Sequence, residues 1–526
     1  MTEPIPVTTS SDKTPVTLVS EGADPNKPLL DPKVATETLN PSTDRTHPEG
    51  RLTAALLFAV FASTIGSSFQ FGYHIGCVNN PSGLIQSWYN ESNVHLHNRT
   101  LSVDDAQRYW SISVSIFAVG GMIGGLLNGW FADRFGRKGS LLFNNIILLI
   151  ATALMSLAKP FGVWYMIPVG RFIVGLACGL ASGLVPMYLT EISPSNYRGT
   201  LGSVHQLLVT ISILFGQVLG LPFIFGTEKL WPFIFAFSVL PSVIQLGTLI
   251  LCPESPKHNL INRNNADQAE KDLKKLRGES NVSAELDIIN EEVQAARSQP
   301  KVTFADMFRG SLRWPLFIAV MMMFSQQFSG INAAMFYSTE IFKSAGLTPD
   351  KATLATIGMG CVNVLQTIVS LWLVDHPKFG RRSLHLAGLT GMFFSSILIV
   401  VSLSVAGIHP NGHVDRPWAA YASIAFVLLF VISFATGPGS IPWFFVSEIF
   451  PSSARGNANS IAVMANWTAN FIVALSFLQL NDLLRQYTFL VFSALLGFFI
   501  LFLFKYMTET KNREYADIQK EMAGRR

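Results

Sequence analysis

Four short stretches hold the residues best placed to do chemistry. Glu191-Ile-Ser-Pro-Ser-Asn-Tyr-Arg198-Gly and Glu448-Ile-Phe-Pro-Ser-Ser-Ala-Arg455-Gly repeat one pattern, Glu-Ile-x-Pro-x-x-x-Arg-Gly. A second pair is Asp133-Arg134-Phe-Gly-Arg137-Lys138 and Asp375-His-Pro-Lys-Phe-Gly-Arg381-Arg382, the later copy being two residues longer. Carboxylate and guanidinium groups at such spacings can form bidentate ion pairs between neighbouring helices. That is chemistry of making and breaking contacts rather than bonds. The chain shows no nucleophile–base pair, no metal-ligand cluster and no phosphate-binding loop, so neither an enzyme nor a cofactor is implied. The alternative use of these cations is plain anchoring of a membrane topology. Duplication of the acids together with the bases favours a gate that opens and closes. Arg171 stands apart, inside the apolar run Val169-Gly-Arg-Phe-Ile-Val-Gly. A mid-membrane arginine costs about 2.5–3.5 kcal/mol on insertion scales. It is therefore expected near the gate end, paired with Glu191 or with a carbonyl.

These motifs need helices in a bilayer to position them. Of the 526 residues, 49% are hydrophobic and 14% charged. The mean hydropathy is +0.36. Soluble domains carry about 25% charged residues. The apolar residues fall in blocks near 52–77, 109–132, 139–158, 164–189, 199–224, 230–252, 312–344, 350–374, 382–406, 417–447, 455–477 and 485–507. Each reaches at least the roughly 20 residues that cross about 30 Å of hydrocarbon. The reading is an all-α membrane protein of twelve transmembrane helices in two six-helix halves. Residues 1–50 lack an apolar stretch and read as a disordered cytoplasmic tail. Residues 51–252 form the first half, with an extracellular loop at 78–108. Residues 253–309 form a helical linker, with helices expected over 266–277 and 283–297. Residues 310–507 form the second half, and 508–526 a short tail.

Lys and Arg in the short loops put both termini and the linker in the cytoplasm. The first long loop is then outside, where Asn90-Glu-Ser and Asn98-Arg-Thr are glycosylation acceptors. The net charge of +4 and pI of about 8.8 suggest no nucleic-acid surface. The single cysteines Cys77, Cys178, Cys252 and Cys361 suggest neither a disulfide framework nor a metal site. Matching motifs at matching places, with equal topology, imply a parallel repeat. Carriers built so hold substrate near the midplane between halves that rock around it.

The motifs also carry a family likeness. Gly-Arg171-Phe-Ile-Val-Gly, Pro186-Met-Tyr-Leu-Thr-Glu191, Asp133-Arg-Phe-Gly-Arg and Pro253-Glu-Ser-Pro-Lys resemble the sugar-porter branch of the major facilitator superfamily. Gln70-Phe-Gly-Tyr-His, Gln326-Gln-Phe-Ser-Gly-Ile-Asn332, Gly437-Pro-Gly-Ser-Ile-Pro-Trp443 and Asn466-Trp-Thr-Ala-Asn-Phe are most similar to animal facilitative glucose transporters. Asn90 falls at that family's first-loop glycosylation position. The resemblance implies a hexose carrier of the plasma membrane, with the sugar held by Gln206, Gln326, Gln327, Asn332, Asn363, Trp443 and Asn466. Amides offer both donor and acceptor to hydroxyls without a charge to desolvate. Trp443 offers a flat apolar face. On a straight helix Gln326 and Asn332 would point about 120° apart. A break at Gly330 would let both face one cavity. Phe336 and Tyr337 beyond it would form an outer lid. Proton-driven porters of this kind usually place Asp where this chain has His74, so uniport is expected. A proton-coupled symporter and a non-transporting sensor are the competing readings. The hexose and the lipid bilayer are the partners implied.

Overall fold

The computed structural model describes residues 50–526, apart from 299–301, 408–413, 512, 514 and 526. The expectation for the first 49 residues lies outside the described residues. Among those described, 11 helical runs are long and apolar enough to cross a membrane. One of them, Val103–Phe161, is 59 residues long, far more than one crossing needs. Gly136 interrupts it at φ 80° and ψ 173°, a geometry that favours glycine, so this run crosses twice and the passes number twelve.

In chain order the first passes are α1 (Ala54–Ile65) and α2 (Ser68–Gly76), which together make one span. The short α3 (Ser82–His97) precedes α4 (Val103–Phe161), α5 (Met166–Ile192) and α6 (Arg198–Leu219). The sixth span is split into α7 (Trp231–Ala236) and α8 (Val239–Leu249). Three linker helices follow, α9 (Pro256–Ile261), α10 (Ala266–Arg277) and α11 (Ser283–Ser298). The seventh span is α12 (Arg313–Gln327) and α13 (Ile331–Ser344), followed by α14 (Pro349–Asp375) and α15 (Arg381–Ala406). The tenth is α16 (Pro417–Thr436) and α17 (Ile441–Ile449), then come α18 (Ser452–Leu484), α19 (Thr488–Tyr506) and a terminal α20 (Tyr515–Gly524).

The connection at 78–108 is not a plain loop. Ile85, Trp88, Tyr89 and Ser92 recur at helical spacing and are all buried on α3. Trp88 packs on Trp231 at 5.1 Å and Tyr89 on Trp164 at 5.4 Å. This aromatic cluster pins α3 over the end of the first half that lies away from the charged motifs.

Small residues bring the helices close. A Cβ at Gly120 or Gly124 would fall 2.0–2.1 Å from carbonyls of α5. On the next face of α4, Gly121 receives Trp467 of α18. Trp467, almost wholly buried, also packs on Phe71 at 5.1 Å and Phe117 at 5.2 Å. One turn of α4 thus meets its own half on one side and the second half on the other, as small-residue packing in bilayers allows. The linker is tied to the bundle as well. Thr53 caps α1 by accepting from Leu56 N at 3.1 Å, and its hydroxyl donates to Leu276 O of α10 at 2.6 Å. Arg277 donates to Ile192 O at 2.8 Å and to Glu285 at 2.6 and 2.8 Å.

Candidate functional site

The chain breaks where polar groups must gather. Gly330 caps α13 at φ 90°, and α16 ends at Gly437, so spans seven and ten are both interrupted near mid-length. An interruption frees backbone groups that only a cavity or a neighbouring side chain can satisfy in a bilayer. Gln326 does this directly. Its Nε2 donates to Pro438 O at 2.8 Å and to Gly439 O at 3.0 Å, both in the break of span ten. Its Oε1 accepts from Asn466 Nδ2 at 2.6 Å and from Gln327 Nε2 at 3.2 Å. Gln327 Nε2 also donates to Asn466 Oδ1 at 2.9 Å, and Asn332 Nδ2 donates to Gln327 Oε1. Four amides from three helices therefore form one connected network.

Gln206, Gln326, Gln327, Asn332, Asn363 and Trp443 line a single cavity of about 40 Å³. Asn466 sits behind them and orients Gln326 and Gln327 rather than facing the cavity. Gln206 forms no side-chain hydrogen bond among the described residues. Asn363 Oδ1 is buried without a partner among them. Both therefore present unused hydrogen-bonding capacity toward the cavity. Sequence reasoning missed the apolar wall: Phe71, Ile75, Val209, Ile213, Ile331, Met335 and Phe434. Helical spacing could have found part of it, because Val209 and Ile213 lie three and seven residues after Gln206. That space admits water, one molecule of which needs about 10–15 Å³. A larger solute enters only if the helices around it separate. Phe336 and Tyr337, the expected lid, are buried and do not line the cavity. Tyr337 instead donates to Ala474 O at 3.1 Å and stacks on Phe477 at 5.4 Å, leaving Met335 on the cavity wall.

The charged motifs gather at one end of the bundle, in two related sets. In the first half Arg137 Nη2 pairs with Glu191 at 2.8 Å, and Ser255 Oγ donates to the other oxygen of Glu191 at 2.5 Å. Glu254 accepts from the backbone N–H groups of Arg137 and Lys138 at 3.1 Å. In the second half Arg381 pairs with Glu448 at 3.6 Å, and Thr510 donates to Glu448. Glu509 accepts from Arg381 N at 2.8 Å and Arg382 N at 3.1 Å. Glu254-Ser255 and Glu509-Thr510 thus play the same part twice, an element of the repeat that sequence reasoning had not paired. Both ion pairs lie within one half, not between halves.

Other expectations change. Arg382 donates to Phe504 O at 2.5 Å, and Arg455 to Phe450 O at 3.4 Å. Asp133, Arg134 and Arg198 are exposed at the same end and form no ion pair among the described residues. The side chain of Asp375 lies outside the described residues. Arg171 is a correction. It shares α5 with Glu191, 20 residues earlier, so about 30 Å separates them. Its guanidinium donates to His74 O at 2.7 Å and Ser113 O at 3.3 Å and lies 4.4 Å from the Phe117 ring centre. Of the two partners expected, backbone carbonyls hold Arg171 rather than Glu191, with an aromatic face added, and its position is far from the charged motifs. His74 is bound at Nε2 to Ser238 Oγ at 3.0 Å.

His258 of α9 is a neighbour of the Arg137–Glu191 pair that sequence reasoning missed. Its Nδ1 accepts from Arg137 Nη1 at 3.1 Å. Burial first, then Arg137 and Arg263, pull its pKa down to about 4, so the ring stays neutral and can accept. Burial likewise raises the Glu254 carboxyl, against its backbone donors and Arg137.

Residues 59–522 match the family described as sugar (and other) transporter. Facilitated glucose transporter protein 1 of Caenorhabditis elegans is 57% identical over 479 residues, which is 91% of this chain and 93% of that protein. Solute carrier family 2, facilitated glucose transporter member 1 of Gallus gallus is 41% identical over 469 residues, 89% and 93% of the two chains. Among solved structures, the proton:xylose symporter XylE bound to 6-bromo-6-deoxy-D-glucose aligns with TM-score 0.73 and 25% identity, covering 90% of this chain and all of that one. The partially occluded inward-open form of the E. coli xylose transporter XylE aligns with TM-score 0.69, covering 88% of this chain. With the family matched over most of its length, two close relatives in hand and twelve helices in the major facilitator arrangement, this chain belongs to the sugar transporter family.

Proposed function

We propose that this carrier moves hexose, D-glucose first and D-fructose second, down its gradient across the plasma membrane. It does so without ion coupling, by alternating exposure of the central cavity. The observation that carries this reading is the uncharged amide cluster, with Gln206 and Asn363 holding spare donors and acceptors beside Trp443. Such a set can pair ring hydroxyls on one side and lie flat against C–H groups on the other. A loose site suits rapid release, and a millimolar site stores only about 4 kcal/mol.

The same reading gives Arg137–Glu191 and Arg381–Glu448 the role of cytoplasmic gate, with Glu254, Ser255, Glu509 and Thr510 bracing them. Both termini and the linker face the cytoplasm, and α3 with Asn90 and Asn98 faces outside. Uniport is supported by the setting of His74. It is tied to Ser238, and Arg171 rests on its backbone carbonyl instead of on a carboxylate. Liposomes holding the purified chain test the substrate. Labelled D-glucose and D-fructose should enter faster than L-glucose, and their rates rank the two sugars. Entry of both D-sugars at the L-glucose rate would reject hexose transport.

A further inference from the structure

Two pairs of helices make long contacts between the halves, α4 with α18 and α6 with α14. At the end that carries the charged motifs, the first seam is shut. A Cβ added to Gly129 would fall 3.2 Å from Ser460 Oγ, and one at Gly125 would fall 2.7 Å from Val463. The second seam is shut only away from that end. There an added Cβ on Gly360 of α14 would lie 2.7 Å from Gln217 and 2.9 Å from Leu214, both of α6. Toward the charged end α6 and α14 part. The gap is a cavity of about 440 Å³ between Thr200 of α6 and Ile368, Leu371, Trp372, His376 and Pro377, which close α14 and follow it. It is far larger than the central cavity of about 40 Å³ and shares no residue with it. Its size falls in the range of roughly 300–1,000 Å³ that ligand sites occupy.

The wall is apolar and its rim is basic. Ile368 and Trp372 recur one turn apart on α14, and Trp372 is 63% exposed. An indole so exposed at the end of a span belongs at the level of the lipid headgroups. Its ring packs on His376 at 4.5 Å, and His376 Nδ1 accepts from Lys378 N at 3.3 Å, so the aromatic wall runs up to a cation. Across the seam, Arg198 opens α6 two residues before Thr200. Arg198 and Lys378 are both exposed, and neither forms an ion pair among the described residues. An apolar slot with two such cations at its mouth complements an acyl chain beneath a negative headgroup.

We propose that this seam holds one acyl chain of an anionic phospholipid, inserted sideways from the cytoplasmic leaflet, with Arg198 and Lys378 taking its headgroup. Which leaflet supplies the lipid rests on the orientation given above. The two walls belong to opposite halves, so the lipid binds best in the arrangement that keeps them apart at this end. Occupancy of the seam and the rocking of the halves are then linked.

The test photolabels the purified full chain in phosphatidylcholine nanodiscs that hold a small fraction of phosphatidylserine with a diazirine in one acyl chain. Adducts are mapped by mass spectrometry and expressed relative to those at Phe394 and Leu501, which are exposed elsewhere on the bundle. They should concentrate on residues 368–377 and on the start of α6. A diazirine phosphatidylcholine should label the same residues at least about 5-fold less, since each basic residue beside an anionic headgroup contributes about that factor. Arg198→Gln and Lys378→Gln should each lower labelling by phosphatidylserine about 5-fold, whereas Arg198→Lys keeps the charge and should keep the labelling. Leu371→Trp fills the slot and should bring both lipids down to the level at Phe394. Adducts no denser at 368–377 than at Phe394, equal labelling by the two lipids, or unchanged labelling in Leu371→Trp would overturn the site. The readout uses no sugar and no sidedness, so a wrong substrate or a reversed orientation leaves it readable.

Discussion

Gln206 and Gln326 line the same cavity, yet replacing each by leucine should do different things. Gln206 spends none of its hydrogen-bonding capacity on the protein, whereas Gln326 is committed to Pro438 O, Gly439 O, Asn466 and Gln327. Leucine is close to glutamine in size, so Gln206→Leu leaves the helix packing nearly unchanged. What it removes is a donor and acceptor for a sugar hydroxyl, and a hydroxyl buried without a partner costs about 1–3 kcal/mol. At 1.4 kcal/mol per tenfold, apparent KM should rise roughly 5- to 150-fold, with Tm nearly unmoved. Gln326→Leu instead strips partners from two carbonyls and two amides inside the protein. Interhelical bonds in bilayers average about 0.6 kcal/mol each, so a loss of some 2–4 kcal/mol of stability follows once unpaired groups are counted. Its Tm in detergent and its maximal flux should fall together. The assay is zero-trans D-glucose uptake into liposomes beside a melting curve of the same preparation. An unchanged KM for Gln206→Leu, or an unchanged Tm for Gln326→Leu, would refute this division between substrate-facing and scaffold amides.

Arg137→Ala should strand Glu191, and Glu191→Gln should strand Arg137. Loss of one partner of a buried pair costs about 3–5 kcal/mol, so both variants should melt earlier and lose flux. The double variant Arg137→Met/Glu191→Leu should melt closer to the parent. His258 adds a pH dependence. Its folded pKa of about 4 lies below the usual histidine value of about 6.5, so folding disfavours its proton. The stabilisation is complete above about 6.5 and is lost as pH falls toward 4. Tm should therefore drop over that window, and His258→Phe should flatten the drop. Gly330→Ala meets both a positive φ and a Cβ 2.7 Å from the Phe492 ring. It should cost at least about 1 kcal/mol and reduce flux by misaligning Asn332 with Gln326, read by the same uptake assay.

Most of the fold was legible because a bilayer imposes length. Apolar blocks of about 20 residues can hardly be anything but spans, and the duplicated acids and bases mark the halves. The break at Gly330 was also legible, since two amides six residues apart need it to share a cavity. The break in span one was not. Gly66 there gives no local signal, and its need for glycine comes from Gln245, whose side chain would lie 2.5 Å from an added Cβ. Arg171 was misplaced because the nearest carboxylate motif in sequence drew the eye. A carbonyl partner was expected as the alternative, but which carbonyls serve, those on α2 and α4, only the packing reveals. Six of the seven expected sugar residues line one cavity. The apolar wall escaped notice, because an isolated Ile or Met in a span reads as packing. The exposed Asp133, Arg134 and Arg198 show the reverse case. A motif can carry more charges than its closed pair uses.

Counterflow tests the central claim most directly. Liposomes preloaded with unlabelled D-glucose and diluted into a trace of labelled D-glucose should transiently concentrate the label inside. An imposed proton gradient without preloading should concentrate nothing. That pair of results is what a sugar uniporter with one alternately exposed site must give. Accumulation driven by the proton gradient, or no overshoot after preloading, would contradict it.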